Sequence, residues 1–348
     1  MPRWALVGIL VVQVGLSLRL VWSNTAFTDE ALYLWAGRLE WSYWLHGTPI
    51  PVFATYFSGA PVVYPPLGAL ADSIGGLAGA RILSLCFMLT ATALLYSVTQ
   101  RIFDRNAAVA ASSLFAGLAA TQFLGALATY DAMALMLLAL AMWLGIRAAG
   151  TSTAARFALL LAAATALAAS NMTKYVCLLF DPVVVASVAM YGWQQSGRRA
   201  GVHCAGVLLS ALTMVLSLAL LIGGQTYWQG FKFTTLTRAA SNAPAPGVLY
   251  ASGKWLGGVL LLTIIGAAAL FAKYRTRPMR CVAVVLCGAV LLVPAEQARI
   301  HTITSLFKHV GFGAWFGCVL AGFALVSFTQ AVPAVKLRSA INVVGITT

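Results

Sequence analysis

Thr28-Asp29-Glu30-Ala31-Leu32-Tyr33 places two adjacent carboxylates where a first apolar segment, Trp4 to Trp22, gives way to a polar, aromatic stretch. The chain has only 8 acidic residues in 348. An ion at a membrane edge loses solvation, so acids kept there are functional candidates. Two readings are open. Asp29 and Glu30 are functional acids, or else Thr28 caps a helix and both acids complement its N-terminal dipole. Asp131, after Tyr130 at the head of another apolar run, is either a second acid lining the same space or an N-cap. Arg81, Lys174, Arg299 and Lys308 stand at the edges of apolar runs, where the plain alternative to binding is an anchor snorkelling to headgroups. His301 and His309 flank a short polar stretch, where a hydrogen-bonded structural role competes with proton transfer.

The elements that must position these groups are membrane helices. The chain is 61% hydrophobic and 9% charged, with a mean hydropathy of +0.89, where a soluble domain carries roughly 25% charged residues. The formal charge of +14 does not point to nucleic acid. The basic residues form short clusters between apolar spans, which is the pattern of topology signals. The six cysteines lie in or beside apolar segments with no CxxC and no paired His, so they read as small hydrophobes and not as a disulfide frame or zinc site. Met1-Pro2-Arg3 followed by a long apolar run reads as a retained signal anchor.

At about 20 apolar residues per span, about ten spans are expected, at roughly 4–22, 80–100, 107–126, 131–146, 156–171, 175–192, 203–223, 255–272, 281–295 and 310–329. With Arg3 inside, the cytoplasmic set is Arg101, Arg105, Arg147, Arg156, Arg198, Arg199, Lys273, Arg275, Arg277, Arg280, Lys336 and Arg338. With Arg3 that is 13 of the 22 basic residues, as the positive-inside rule requires. Asp29, Glu30, Glu40, Asp72, Asp131 and Glu296 then fall on the outer side, and Asp104 inside. The outer loop 24–79 is too long for a plain connector. Leu32, Trp35, Leu39 and Tyr43 at helical spacing predict an amphipathic helix on the membrane, and Tyr64-Pro65-Pro66-Leu67 opens a second short helix. Further outer loops are expected at 224–254 and 296–309. Gly253 to Gly257 and Gly313 to Gly317 match GxxxG and predict close helix packing.

Several stretches in order resemble one family. Thr28-Asp29-Glu30-Ala31-Leu32-Tyr33 with Trp35-Ala36-Gly37-Arg38-Leu39 is similar to the first outer loop of the polyprenyl-phosphate-dependent membrane glycosyltransferases of the GT-C fold. The nearest groups are the protein O-mannosyltransferase and aminoarabinose-transferase-like families. Tyr64-Pro65-Pro66-Leu67-Gly68 resembles their Pro-Pro-Leu element, Ala80-Arg81-Ile82-Leu83-Ser84-Leu85 the opening of their second span, Tyr130-Asp131 an acidic helix start, and Thr173-Lys174-Tyr175 a Thr-Lys pair. The resemblance covers roughly residues 1–200, a GT-C-like module. Residues 201–348 add further helices and outer loops. Val62, Val63 and Tyr64 stand where the family often has His or Lys before Pro-Pro-Leu.

The resemblance implies an all-α polytopic bundle in the cytoplasmic membrane. It implies transfer of a sugar from a polyprenyl-phosphate donor to a hydroxyl or amine of a glycan, lipid or protein acceptor on the extracytoplasmic face. The departing lipid phosphate is a stable anion, so the reaction needs a base for the acceptor proton and cations for the phosphate. Asp29 is then the base, Glu30 an orienting neighbour and Asp131 a second acid that positions the acceptor. Tyr64, Arg81, Lys174, Arg299, His301, Lys308 and His309 are substrate-binding, with Arg and Lys on the phosphate. No metal ligand set is identified. Some of the fold group use a divalent cation, which Asp29, Glu30 and Asp131 could ligate through oxygen. Two other classes compete. A transporter or lipid flippase would show charges at mid-membrane and paired repeats, which this sequence lacks. An inactive scaffold of the same fold would tolerate the missing basic residue before Pro-Pro-Leu.

Overall fold

The structure, a computed structural model, describes residues 2–151 and 153–331. Lys336 and Arg338 lie outside them. Every regular element among the described residues is helical. The order is α1 (Pro2–Val21), α2 (Thr28–His46), α3 (Tyr64–Ile102), α4 (Arg105–Gly117), α5 (Ala119–Leu124), α6 (Tyr130–Ala149), α7 (Thr153–Thr173), α8 (Asp181–Ser196), α9 (Arg198–Phe231), α10 (Ala245–Lys273), α11 (Arg277–Arg299) and α12 (Leu306–Ala331). Nine helical stretches among the described residues are long and apolar enough to cross a membrane. The expected span at 107–126 is instead two short helices. Leu118 between them is extended (φ −68°, ψ 137°) and breaks α4 from α5.

Glycines set the remaining differences from the expected borders. Helix α3 runs on from its Pro65-Pro66 start through Gly75 and Gly76 (φ 61°, ψ −163°), so a surface helix and a span join at a kink. That φ/ψ region is essentially closed to residues with a Cβ. Gly224 (φ 60°, ψ −157°) kinks α9 in the same way. The chain stays helical beyond it, and the expected loop at 224–254 shrinks to the stretch between Leu236 and Ala245.

Helix α12 is the most enclosed span. Trp315 donates its indole N–H to the Ala91 carbonyl of α3 at 2.9 Å, and Phe316 stacks on Phe180. Gly313 and Gly317 meet α11 and α10 closely, as GxxxG packing requires, with an added Cβ at Gly313 2.9 Å from the Ala289 carbonyl oxygen. Gly253 and Gly257 do not. Both face open space, because α10 packs on α12 farther along, where Gly266 meets Leu320. Helices α1, α9 and α10 bury only a minority of their residues and leave the rest half-buried or exposed, which suits contact with lipid.

The helix ends rich in Arg gather at one end of the bundle. Arg156 reaches the Ala148 carbonyl, Tyr191 donates to the Arg101 carbonyl, and Phe103 stacks on Phe323. At the other end lie the starts of α6 and α12 and the ends of α7 and α11, together with α2.

Candidate active site

Helix α2 is locked onto α3. Gly37 allows the contact: a Cβ there would run into the Pro65 carbonyl and lie 2.8 Å from Ala69 Cβ. Trp41 donates to the Pro66 carbonyl at 2.9 Å, and Arg38 pairs with Asp72. Asp72 thus has its partner on α2. Phe27, not Thr28, is the N-cap of α2, with no side-chain cap bond of its own. Instead Glu30 reaches back to the Phe27 N–H at 2.8 Å.

Glu30 is wholly buried and fixes the loop ahead of α2. Arg81 grips both its oxygens at 2.8 Å, and the Ala128 N–H donates to it at 2.7 Å. The other N–H groups of Arg81 bond the carbonyls of Val21, Asn24 and Thr25. All five guanidinium donors are therefore engaged within the protein. Burial alone would raise the Glu30 pKa. The Arg81 bonds and the two backbone N–H groups outweigh burial and hold it below the usual carboxylate range.

Asp29, one position earlier, points elsewhere and is a third exposed. Its Oδ2 accepts from Lys308 Nζ at 2.6 Å, which joins α2 to α12 across 279 residues of sequence. Lys308 is set at the start of α12 by Ser305 (φ 60°), whose carbonyl accepts from the Lys308 and His309 N–H groups at 3.0 and 3.1 Å. The same ammonium lies 4.0 Å from Asp131 Oδ2. Asp131 is buried in the first turn of α6, pairs with Lys174 through Oδ1, and has no hydrogen-bond partner at Oδ2.

Lys174 is held between α7 and the short 3₁₀ turn Tyr175–Phe180 by the segment 58–60. Ala60 donates to the Met172 carbonyl at 2.7 Å and Tyr175 to the Ser58 carbonyl at 2.9 Å. Gly59 permits that approach, since a Cβ would sit 2.9 Å from the Thr173 carbonyl carbon. The Lys174 ammonium also lies over the Tyr130 ring, 4.6 Å from its centre. Burial lowers the Lys174 pKa, and Asp131 opposes that only in part.

These groups surround a cavity of about 270 Å³ whose walls include Asp29, Tyr33, Lys174, Arg238, Lys308 and His309. Burial, with Tyr130, Asp131 and Asp29 close by, pushes the Tyr33 phenol up, so it stays neutral. His309 Nδ1 lies 2.7 Å from the Gln297 amide nitrogen. With the amide donating, the ring N–H is at Nε2. Two of the cavity's cations are balanced, Lys308 by Asp29 and Lys174 by Asp131. Arg238 is exposed and takes part in no ion pair among the described residues. The cavity thus offers two partly exposed carboxylates, Asp29 and the Arg299-paired Glu296, and three cationic side chains, a set that can accept a proton beside an anion.

The other residues singled out in the sequence lie outside this cavity. Tyr64 is fully buried in an aromatic cluster with Tyr33, Phe57 and Tyr130. Arg299 is exposed and pairs with Glu296 at 2.6 Å. His301 (φ 51°) bonds the Ala243 carbonyl at 3.0 Å and docks the 237–244 loop to the α11–α12 connection. Sequence reasoning passes over Arg238, Tyr33, Ser58 and Gln297, all of which line the cavity. Arg238 had a signal, because no acidic residue occurs anywhere in 224–254. The three carboxylates suggested as hard ligands do not converge. Asp29 and Asp131 are each taken by lysine, and both Glu30 oxygens by Arg81 and backbone. Among the described residues no group of three or more His, Cys, Asp or Glu is placed to hold a metal.

A family model described as dolichyl-phosphate-mannose-protein mannosyltransferase matches residues 62–221, just under half of the chain. No curated protein matches in sequence. Among solved structures, the chain is similar to ArnT from Cupriavidus metallidurans bound to undecaprenyl phosphate, with a TM-score of 0.65, 17% identity, and 93% of this chain and 60% of that one covered. It is similar to the oligosaccharyltransferase AglB from Archaeoglobus fulgidus in complex with an inhibitory peptide and a dolichol-phosphate, with TM-score 0.58, 13% identity, and 97% and 51% covered. The Archaeoglobus enzyme in complex with Zn and sulfate gives TM-score 0.55, 14% identity, and 94% and 51% covered. The chain spans about half to three fifths of the length of these proteins. At such identities the likeness concerns the fold, and it extends over nearly all of this chain, well past the residues that carry the sequence resemblance. The chain is a polytopic helical protein with the GT-C-like fold of these solved structures.

Proposed function

We propose that the chain is a glycosyltransferase that moves a sugar from a polyprenyl-phosphate donor to a hydroxyl or amine of an acceptor on the extracytoplasmic face. The observation that carries this reading is the contact of Asp29 with Lys308 at a cavity also walled by Lys174 and Arg238. In the reaction the bond between the sugar's anomeric carbon and the phosphate oxygen breaks, and its electron pair leaves with the polyprenyl phosphate. A bond from the acceptor oxygen or nitrogen to that carbon forms, and the acceptor's proton passes to Asp29. Lys174, Lys308 and Arg238 hold the phosphate and stabilise the charge that gathers on it. Asp131 stands behind the two lysines and spaces their ammonium groups, a positioning role. Glu30, Arg81 and Tyr64 act through the frame that presents α2. The positive-inside pattern supports the outer placement.

In this reading lysine occupies the carboxylates that a divalent ion would need, and no step runs through a metal. Transfer in membranes, assayed with a panel of radiolabelled polyprenyl-phosphate sugars, tests the proposal. Asp29→Asn is expected to lower the rate a hundredfold or more while leaving the protein folded. Equal rates for wild type and variant would remove Asp29 as the base.

A further inference from the structure

Beside the main cavity, and sharing Tyr175 and Leu178 with it, lies a smaller slot of about 90 Å³ between α7, the 175–180 turn and the outer part of α9. Its walls are rings. Tyr175 meets Tyr227 and Phe231 edge-on, at centroid distances of 6.0 and 5.1 Å, and Trp228 stacks on Phe231 at 5.8 Å. The Gly224 kink turns this last stretch of α9, and Gly230 lets it close on Ala54 (an added Cβ would lie 2.8 Å from Ala54 Cβ).

The one polar side chain in the wall besides the tyrosines is Asn171, which is 2% exposed. Its amide nitrogen donates to Asp181 Oδ2 at 2.8 Å. Its own Oδ1 is buried without a partner, as is Asp181 Oδ1. Asp181 begins α8, where the helix dipole favours a carboxylate, and no ion pair among the described residues includes it. The unpartnered buried polar atoms are therefore Asn171 Oδ1 and the Tyr175 hydroxyl in the wall and Asp181 Oδ1 behind it, beside perpendicular aromatic faces. A buried acceptor left unmade is costly, and aromatic faces attract cations.

We propose that this slot binds an alkylammonium group, with Asn171 Oδ1 accepting its N–H, Asp181 supplying the charge behind, and the rings enclosing it. The slot, about 90 Å³, has room for an ammonium and a short alkyl stem. The group is a recognition handle and not a nucleophile, since it is held protonated. Because the slot adjoins the main cavity, a substrate can occupy both. This extends the function proposed above by naming a substrate feature, and its test needs no transfer activity.

The test is a titration of the purified full chain in nonionic detergent with ethylammonium, followed by tryptophan fluorescence and by thermal shift. The neutral isostere ethanol is the control, and Trp228→Phe assigns the fluorescence signal. Saturable binding of ethylammonium, at least tenfold tighter than ethanol and weakened at least tenfold by Asp181→Asn, is expected. Should Asp181→Asn fail to fold, Trp228→Ala at the exposed edge of the slot serves, with the same loss expected. Equal response to amine and alcohol, or binding unchanged in the folded variants, overturns the proposal. The titration repeated in nanodiscs separates the sources of the amine. Competition by phosphatidylethanolamine over phosphatidylglycerol assigns the handle to an aminophospholipid headgroup, and equal affinity in the two lipids assigns it to an amine on the sugar or acceptor. Loss of transfer in Asp29→Asn with no ammonium binding would leave the enzyme standing and the slot refuted.

Discussion

Asp29 and Glu30 are neighbours in sequence and about 100° apart around the helix, and that angle separates their roles. Asp29 reaches the cavity and Lys308. Glu30 turns inward to Arg81 and two backbone N–H groups. Glu30→Gln strands a buried guanidinium, so a loss of about 3–5 kcal/mol is expected, read as a lowered thermal midpoint at neutral pH. The folded pKa of Glu30 lies below its unfolded value. Its contribution is therefore fully present above the unfolded pKa of about 4.3 and is lost as pH falls through the folded one. The gap in midpoint between wild type and Glu30→Gln should stay level down to about pH 5 and close below that. A widening gap on acidification would contradict the sign. Lys174 and Asp131 behave as a unit in the same way. Lys174→Met alone leaves a buried carboxylate with Lys308 4.0 Å from its free oxygen, and should destabilise more than Lys174→Met combined with Asp131→Asn. Thermal shift of the four proteins measures the coupling.

The elements that hold these residues depend on glycine at close approaches. Gly59→Ala pushes a methyl against the Thr173 carbonyl and displaces the turn that carries Lys174. Transfer should fall at least tenfold with only a modest change in thermal midpoint, a split that simple unfolding would not give. Much of this architecture is legible in the sequence. The apolar runs mark the spans, the 32/35/39/43 spacing marks α2, and Pro65-Pro66 marks the start of α3. What hydropathy does not carry is where a helix bends. Gly76 and Gly224 adopt positive φ and let helix continue on both sides, so a surface helix fuses with a span and an expected loop becomes helix. Nor does residue type tell a clamp from a grip. Arg81 and Lys308 look alike at a membrane edge. Five bonds to Glu30 and three carbonyls make the first part of the frame, while the second keeps its ammonium at the cavity. Arg299, beside Glu296 by i,i+3 spacing, pairs locally and stays outside.

On the scale of the whole molecule, the Arg-rich helix ends and the cavity occupy opposite ends of the bundle, so orientation can be read with single cysteines. In a background lacking the six native cysteines, Ser241→Cys should react with an impermeant maleimide applied to intact cells, and Arg275→Cys only after the membrane is opened. The reverse pattern would place the cavity inside. A chelator should leave transfer within twofold of its starting rate, because Lys308 and Lys174 already pair with Asp29 and Asp131, and a larger fall reversed by adding metal would contradict this. The Asp29–Lys308 contact has one more consequence, for biogenesis. Asp29 is made with α2, ahead of most of the bundle, and its counter-ion arrives only with α12, the last described helix. A nascent chain that has inserted everything through α11 still holds that carboxylate without its cation. The Asp29–Lys308 pair therefore forms only once residue 308 has been made and α12 has packed into the bundle, and a nascent chain that stops short of it holds the earlier helices without that contact.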